Sequence, residues 1–396
     1  MYIQTFLNRG WDASQSDVNE ATSNITSIFQ NIKISLDSQA AISRNPGRKA
    51  KKKRKNKPYF DNECESVYHT LTQTARSLSK NKLNSEKLKH YFKLRKDFKR
   101  LVRKKARQNK AKILNSLIEL EDRNPKAFWD IINKFKNSDK EVSDQSSNIA
   151  PDEWCSYFKN IMNLNVDKDL YSDLDFNSVS NVLDKPFLIK DITKAIKSVK
   201  NNTSVGFDCI SNEMLKNCSS SMVHSLCKLF NLIYDSGKYP DQWSESMVKP
   251  LFKSGDETDP NNYRGIAISS CLSKLFIKTL SNRLEDFVKD NDLISNHQIG
   301  FRRSHRTIDH VYTLKSIIDK MFRMKKHLHV CFVDFRKAFD SVWRQALFYK
   351  LSNMEIKGKI LQIIVSMYSN VKYSVKLQSG LTESFSTNVG VKQGCI

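Results

Sequence analysis

The stretch 328-LHVCFVDFRKAFDSVW-343 decides the fold, because it joins an apolar run to an acidic residue and then to an amphipathic segment. Alternation of side chains predicts a β-strand over Leu328–Phe335, in which Phe332 and Asp334 share one face. A carboxylate at the end of an apolar strand is costly to bury without a partner, and a divalent metal ion is a natural partner for its oxygens. The pattern also allows Asp334 to cap the following helix, and this alternative stays open here.

Residues beyond about 185 alternate between helical and strand patterns, which is typical of an α+β fold. We predict helices over Ile189–Lys200, Ser211–Ser236, Leu272–Lys289, Thr307–Met324 and Lys337–Asn353, and further strands over Met247–Lys253, Tyr373–Leu377 and Thr382–Val391. A turn at Ser379–Gly380 joins the last two strands.

Four helices are predicted upstream, over Val18–Leu36, Glu86–Leu120, Pro125–Phe135 and Asp152–Asn163. The apolar stripe of the first is predicted to contain Ile25, Ile28, Phe29 and Ile32, and that of the second Leu88, Tyr91, Phe92, Phe98, Leu101 and Val102. Asn124 is placed to cap the third helix, which has proline at its first position. Residues 137–150 are polar and predict a loop.

Positive charge is concentrated in one segment. The chain has a net charge of +24, and residues 44–112 alone contain 25 lysine and arginine residues against 5 acidic ones. Such a segment indicates a polyanionic partner, although an amphipathic helix with a solvated basic face would have the same composition. We expect this basic arm to bind RNA or DNA.

The eight cysteines form no CxxC pair and no Cys/His metal pattern, so we expect free and mostly buried thiols, including Cys331. No signal peptide and no apolar run of about 20 residues is present, so no membrane partner is expected. We therefore expect a nuclear or cytoplasmic location. The run KKKRK at 51–55 is a weak indication of nuclear import.

Five segments in order resemble motifs of reverse transcriptases from LINE-type (non-LTR) retrotransposons. They are 197-KSVKNNTSVGFDCISNEMLK-216, 249-KPLFKSGDETDPNNYRGIAISS-270, 298-QIGFRRSHRT-307, FVDFRKAFD at 332–340 and 389-VGVKQGCI-396. The resemblance is specific from about residue 190 onward. It implies the fingers and partial palm of a right-hand polymerase over 185–396, a basic helical linker region over 51–180 and an N-terminal polar segment over 1–50.

The same resemblance implies the chemistry of nucleotidyl transfer from dNTPs to a primer 3′-hydroxyl on an RNA template. Two Mg²⁺ ions, or Mn²⁺, would be held by Asp334 and by the backbone carbonyl of Phe335. Lys253 and Arg264 match the fingers residues that close on the triphosphate, whose charge requires cationic donors. Lys253 considered alone would be an ordinary solvated lysine.

Further positions carry over from the motifs. Phe339 matches the aromatic residue under the incoming sugar, whose ring would exclude a 2′-hydroxyl. The alternative interpretation is that Phe339 is simply a core residue of a helix. Gln393 and Gly394 match the segment that supports nucleotide and template. Asp340 is expected to cap a helix or to form a salt bridge rather than to bind metal.

Nucleic-acid contacts are expected at two places. The first is the template-facing turn with Gln298, Gly300, Phe301 and Arg302, which could also be a purely structural turn. The second is the basic arm, represented by Lys51, Lys52, Lys53, Arg54, Arg95, Lys99 and Arg103.

The segment departs from the family pattern at several positions. Gly265 stands where proline is common, VGFDC at 205–209 replaces the usual PGPDG, and His305 and Arg306 precede Thr307 where the pattern has serine before threonine. The second metal motif, Tyr/Phe-x-Asp-Asp, is not found within the 396 residues. We therefore expect the chain alone to extend no primer. Two alternatives to an enzyme stay open, namely a non-catalytic nucleic-acid-binding fragment and the decayed product of a dead element.

Overall fold

The computed structural model describes residues 13–42, 59–80, 85–136, 145–163 and 174–394. The chain divides into two compact units, one formed by 1–41 with 144–396 and the other by 42–143. The basic run at 51–55, with the expected contacts Lys51 to Arg54, lies outside the described residues, as do residues 137–144 of the predicted loop.

The described helices are, in chain order, α1 (Gln15–Ile42), α2 (Asn62–Lys80), α3 (Ser85–Arg123), α4 (Pro125–Lys136), α5 (Pro151–Ile161), α6 (Ile189–Ser198), α7 (Asn212–Lys216), α8 (Ser220–Ser236), α9 (Asp241–Ser244), α10 (Cys271–Asp290), α11 (Thr307–Arg323), α12 (Arg344–Asn353) and α13 (Gly358–Ser369). The strands are β1 (Glu245–Phe252), β2 (Tyr263–Ile268), β3 (Lys372–Leu377), β4 (Gly380–Leu381) and β5 (Phe385–Ser386). This mixture of helices and sheet confirms the α+β class.

The larger unit has a helical core to which the N-terminal helix contributes. Val18, Ile25 and Phe29 of α1 are buried together with side chains of α6, α8, α10 and α13. The helix predicted over Val18–Leu36 is therefore confirmed, but its stripe is corrected, because Ile28 and Ile32 are exposed. Every third or fourth residue from Val18 faces the core, as an amphipathic helix requires.

A mixed sheet lies beside this core in the order β2-β1-β3-β4, with β5 also paired to β3. β1 and β2 are antiparallel, with Phe252 opposite Tyr263, whereas β1 and β3 are parallel. Helix α5 packs on the sheet through Trp154 and Phe158, which are buried with Val248, Tyr263 and Tyr373. This second core supports the β1–β2 hairpin that carries candidate site residues.

The predicted helices with clear periodicity are found at nearly the predicted bounds. The cap at Asn124 is also confirmed, since its side-chain oxygen accepts from the Ala127 amide at 3.1 Å. The helix predicted over Ser211–Ser236 is broken instead, because Ser211 and Ser219 each cap a separate helix. The strand predicted over Thr382–Val391 is reduced to β5, because the amides of Asn388 and Val389 donate to the Met162 carbonyl and not to β3.

The strand predicted over Leu328–Phe335 is not formed. These residues pair with no strand in the part of the chain that the structure describes, and Phe332 is 82% exposed. A strand is stabilised by a neighbour that takes its main-chain hydrogen bonds, so an apolar sequence without such a neighbour does not form one. Cys331, which we expected to be buried, is exposed for the same reason.

The helix predicted over Lys337–Asn353 starts only at Arg344. Lys337 has a left-handed backbone with φ +51°, which interrupts a right-handed helix. The carbonyls of Phe339 and Val342 accept from the amides of Val391 and Gly390 at 2.8 Å. These carbonyls are therefore bonded to a distant segment and not to the next helical turn.

The unit formed by 42–143 is a helical hairpin of α2 and α3 followed by α4. Phe98 of α3 contacts the rings of Phe60 and Tyr68, at centroid distances of 6.3 and 5.8 Å. The stripe predicted on this helix is only partly covered, because Leu88 and Phe92 are exposed.

Candidate active site

Lys253 and Arg264 lie on the β1–β2 hairpin, and both are exposed. Lys253 directly follows β1, and its amide donates to the Asn262 carbonyl at 2.9 Å. On β2 the side chains alternate, so that buried Tyr263 and Gly265 flank exposed Arg264. The hairpin therefore presents Arg264 on its open face and its aromatic residue to the core.

The covered face of this hairpin explains the departure at Gly265. A Cβ atom at this position would lie 2.6 Å from Cε1 and 3.1 Å from Cζ of Phe158. Such a distance is far shorter than a van der Waals contact, so any larger side chain, proline included, collides with the ring. Phe158 of α5 occupies the space that a side chain at 265 would need.

Gln393 and Gly394 lie beside the same hairpin. The Gln393 carbonyl accepts from the Ala267 amide of β2 at 2.8 Å. Gly394 has φ +93°, a conformation that favours glycine, and a Cβ there would approach the Ile266 side chain to 3.3 Å. The structure thus brings the last motif against the β1–β2 hairpin, although some 130 residues separate them in sequence.

Phe339 lies at a junction of three segments. Its carbonyl accepts from Val391, and its ring stands 6.3 Å from that of Phe301 in an edge-to-face arrangement. The two rings line a cavity of about 260 Å³, whose other lining residues are Tyr239, Ile277, Met367, Tyr368, Val391 and Lys392. Phe339 is therefore not simply helix core.

The turn after Asp334 packs against the tip of the hairpin. Lys337 donates from Nζ to Oδ1 of Asn261 at 3.0 Å, and its ammonium lies 4.8 Å from the centre of the Tyr157 ring. Burial raises the pKa of Asp340, an effect that the charges of Lys337 and Lys253 partly offset. Asp340 forms no ion pair within the described ranges, and Trp343 rather than Asp340 is the N-cap residue of α12, so neither the expected salt bridge nor the expected helix cap is formed.

Asp334 itself is exposed, as is the adjacent Phe335. No hydrogen bond or ion pair between the Asp334 carboxylate and another described residue is present. No group of three or more His, Cys, Asp or Glu side chains that could hold a metal ion occurs in the described part of the chain. Asp334 is therefore a single accessible carboxylate rather than part of an assembled metal site.

The turn with the expected template contacts is strongly bent. Gln298 donates from Nε2 to the Gly300 carbonyl at 3.2 Å, and Arg302 donates from Nη1 to the carbonyls of Ser295 and Gln298. Phe301 has φ +63° and is 96% exposed. The guanidinium of Arg302 thus helps to hold its own turn, while the ring of Phe301 projects from it.

In the upstream motif, one departure from the family pattern lies at a residue with a left-handed backbone. Cys209 has φ +56°, which is the conformation that the glycine of the usual PGPDG pattern adopts without strain. A Cβ at Gly206 would lie 2.6 Å from the Ser270 amide nitrogen, so the loop approaches the start of α10 closely. Asp208 accepts a hydrogen bond there from the Ser270 hydroxyl, and burial raises the pKa of its carboxyl.

Sequence reasoning missed Arg344. It is only 6% exposed and donates hydrogen bonds to Tyr368, Thr387, Val389 and Gly390. Its acceptors are mainly main-chain carbonyls more than 20 residues away, so no residue-type pattern could reveal them. Only the position of an arginine directly after the motif, at the start of a helix, could have drawn attention to it.

In the smaller unit, Arg95, Lys99 and Arg103 are exposed on α3, as expected. The helical period places Lys96, Arg100, Arg103 and Arg107 together on one face, spread over about 16 Å of helix. Lys105 lies on the opposite face, where it pairs with Asp61 and Glu63 at 2.6 Å. The cations of α3 therefore include one that is neutralised within the unit.

Within the described ranges, no helix combines the length and apolar character needed to cross a bilayer. The described cysteines are free, as predicted, but most are not buried: Cys64, Cys227 and Cys271 are buried, whereas Cys155 and Cys218 are half-buried and Cys209 and Cys331 are exposed.

Comparison with known proteins agrees with the motifs. The family model described as reverse transcriptase (RNA-dependent DNA polymerase) matches residues 252–396. The chain is 29% identical over 213 residues to the probable RNA-directed DNA polymerase from transposon BS of Drosophila melanogaster, covering 54% of this chain and 23% of that protein. It is 26% identical over 212 residues to the corresponding X-element protein of the same species, covering 53% and 23%.

A third relative is the retrovirus-related Pol polyprotein from type-1 retrotransposable element R2 of Popillia japonica, which is 28% identical over 159 residues, or 40% of this chain and 22% of that protein. The matched region is thus less than a quarter of the length of each of these relatives. Residues 252–396 thus match a reverse transcriptase domain, and the matched region is similar to the polymerases of LINE-type (non-LTR) retrotransposons.

Proposed function

We propose that this chain forms part of an RNA-directed DNA polymerase that copies an RNA template into DNA from a primer 3′-hydroxyl and dNTPs. The Drosophila relatives, which are named as RNA-directed DNA polymerases, support this activity. The observation that carries it is the pair of main-chain hydrogen bonds from Ala267 to Gln393 and from Val391 to Phe339. These bonds join three separate motif segments into one surface.

In this proposal, β1, β2, α10 and α11 belong to the fingers, and residues from about 328 to 394 to a partial palm. The domains follow the same scheme, with a polymerase domain over 185–396, a basic linker region over 51–180 and an N-terminal segment over 1–50. Helix α1 nevertheless packs into the core of the larger unit, so we assign residues 15–41 to the polymerase fold.

Lys253 and Arg264 would bind the triphosphate of the incoming nucleotide. Both are exposed cations on one hairpin, which suits a ligand with several negative oxygens. Phe339 would lie beneath the sugar and exclude a 2′-hydroxyl, while Gln393 and Gly394 would support base and template. The close approach of Gly394 to β2 leaves a smooth backbone surface there.

The family generally uses divalent metal ions, and we propose two Mg²⁺ ions, with Mn²⁺ as a substitute. Asp334 and the Phe335 carbonyl offer oxygen ligands of the right type. They are too few for two ions, since no cluster of three or more His, Cys, Asp or Glu side chains occurs among the described residues. The fit is therefore partial, and a metal site would need carboxylates beyond those described.

Gln298, Gly300, Phe301 and Arg302 would contact the template backbone and bases. The exposed ring of Phe301 can stack on a base, and sequence-tolerant stacking of this kind is common on single strands. These roles, like a nuclear or cytoplasmic location, remain part of the proposal.

The smaller unit would bind the nucleic-acid backbone through the basic face of α3. The matched pair Arg103→Ala and Lys105→Ala tests this proposal, because each removes one cation from the same helix. Binding of the chain to single-stranded RNA, titrated against salt, should lose about one unit of slope in Arg103→Ala. The slope should not change in Lys105→Ala, whose ammonium is already paired. Equal effects of the two changes on the salt slope would mean that the positive charge of α3 attracts RNA without a defined binding face.

Catalysis is tested with a fusion of residues 1–396 to the segment that follows the matched region in the transposon BS relative. This fusion should extend a DNA primer on RNA, and Asp334→Asn should abolish extension without weakening template binding. If the fusion is inactive although it binds the template, a nucleic-acid-binding protein without catalysis is the better assignment. The exposed and unpartnered carboxylate of Asp334 is the observation that keeps this second candidate.

A further inference from the structure

Arg344 uses its whole guanidinium to hold one stretch of chain. Nε donates to the Gly390 carbonyl at 2.9 Å, Nη1 to the carbonyls of Thr387 and Tyr368 at 2.8 and 3.1 Å, and Nη2 to Thr387 Oγ1 and the Val389 carbonyl at 2.8 and 2.9 Å. A guanidinium has five N–H donors, and here each of them has an acceptor.

No carboxylate neutralises this buried cation in the part of the chain that the structure describes. The compensation comes from carbonyl dipoles and from the Tyr368 ring, whose centre lies 5.3 Å away. Burying a charge is expensive unless its hydrogen bonds are satisfied, and an apolar side chain would fill the same space more cheaply. The arrangement therefore fixes a particular conformation of residues 387–390.

The stretch that Arg344 holds leads directly into the candidate site. Gly390 and Val391 donate to the carbonyls of Val342 and Phe339, and two residues later Gln393 accepts from Ala267. Residues 387–393 are thus anchored by Arg344 at one end and by β2 at the other. The distance between Phe339 and Gln393 depends on both anchors.

We infer that Arg344 is a positioning residue for the incoming nucleotide, which sets Gln393 against the Phe339 ring without touching the substrate. The inference rests on the proposed function, because it needs Phe339 and Gln393 to contact the nucleotide. Lysine at 344 would keep the charge but lose the planar fork, so it should not hold the stretch.

Hydrogen exchange on the chain itself tests whether Arg344 holds residues 387–390 in place. In Arg344→Lys, amides of residues 387–393 should exchange at least tenfold faster, while those of α10 keep the parent rate. Unchanged exchange at 387–393 would overturn the inference. If Arg344→Lys loses protection throughout, Thr387→Val takes its place, because it removes only the hydroxyl acceptor of Nη2.

Nucleotide selection in the active fusion tests the positioning. Arg344→Lys should raise the KM for dNTPs about tenfold and reduce the preference for dNTP over rNTP by a similar factor, with kcat less affected. A purely structural arginine would lower stability and leave sugar discrimination at the parent value, and this result would refute the inference. An inactive parent fusion would instead refute the proposed function, and the inference would fall with it.

Discussion

Replacing Gly265 by alanine should destabilise the sheet core by about 1–3 kcal/mol, the usual cost of forcing an extra carbon into a packed interior. The new Cβ would lie 2.6 Å from Cε1 of Phe158 and 3.4 Å from Cγ1 of Val248. The Phe158 ring is 1% exposed and stacks on Trp154 at 5.7 Å with an angle of 19° between the rings. The ring is thus enclosed by its neighbours, and either it or the α5 backbone must shift to admit the new carbon.

The measurement is urea unfolding of the full chain, with hydrogen exchange of α5 and β2 as a local readout. Gly300→Ala is the matched control, since a Cβ there meets its nearest atom only at 3.5 Å. The stability of that variant should stay within about 0.5 kcal/mol of the parent. A second variant, Phe158→Leu, removes the colliding ring carbons at its own cost in packing. Combined with Gly265→Ala, it should cost at least about 1 kcal/mol less than the sum of the single changes. Additive losses would refute the clash as the cause.

Three further changes test other local features. Cys209→Gly should stabilise the larger unit by about 0.5–1 kcal/mol in denaturant unfolding, because a left-handed backbone is strained for an L side chain. Cys209 is exposed, so little packing is lost. No gain in stability would mean that the strain is absent. Arg306→Ser should raise the free energy of unfolding by about 1 kcal/mol, which thermal unfolding can detect. Asp309 already accepts from the amide of residue 306, and serine would complete the capping box. Burial holds the pKa of Asp208 above its usual 3.8, so its contribution to stability is complete below that value and is lost as the pH rises toward the raised pKa. Asp208→Asn should remove this fall from a pH series of unfolding measurements, and an unaltered pH profile would contradict the assignment.

Much of the helical part of the fold could be predicted, because a helix is determined by residues three and four apart. The cap at Asn124 and the helix from Thr307 are local features of the sequence, and both were found. The strand over Leu328–Phe335 was wrong for the opposite reason. Alternation gives the two faces of a strand, but its hydrogen bonds come from a partner that local sequence does not specify.

The candidate site divides in the same way. Motifs identified Lys253, Phe339 and Gln393 as residues of one chemistry, and the structure brings their segments together through main-chain hydrogen bonds. Among the described residues, it assembles no metal site around Asp334. Arg344 could not be predicted, since its role depends on carbonyl groups, which every residue type carries.

The departures from the family pattern show why a consensus alone cannot predict stability. Cys209 and Arg306 occupy positions whose backbone still favours the usual residue, glycine for a left-handed turn and serine for a helix cap. The backbone at Cys209 is left-handed and Arg306 forms no side-chain cap hydrogen bond, so restoring glycine and serine should stabilise the chain. At Gly265 the usual residue, proline, no longer fits, because Phe158 fills the space that its side chain would need. Restoring proline there should destabilise the chain, and only a combined change at 158 should make it tolerable. Restoring the usual residue should therefore raise the free energy of unfolding at 209 and lower it at 265. This difference would distinguish a position that lacks its favoured residue from one where packing has compensated. Gains in stability at both positions would show that α5 adapts to the larger side chain.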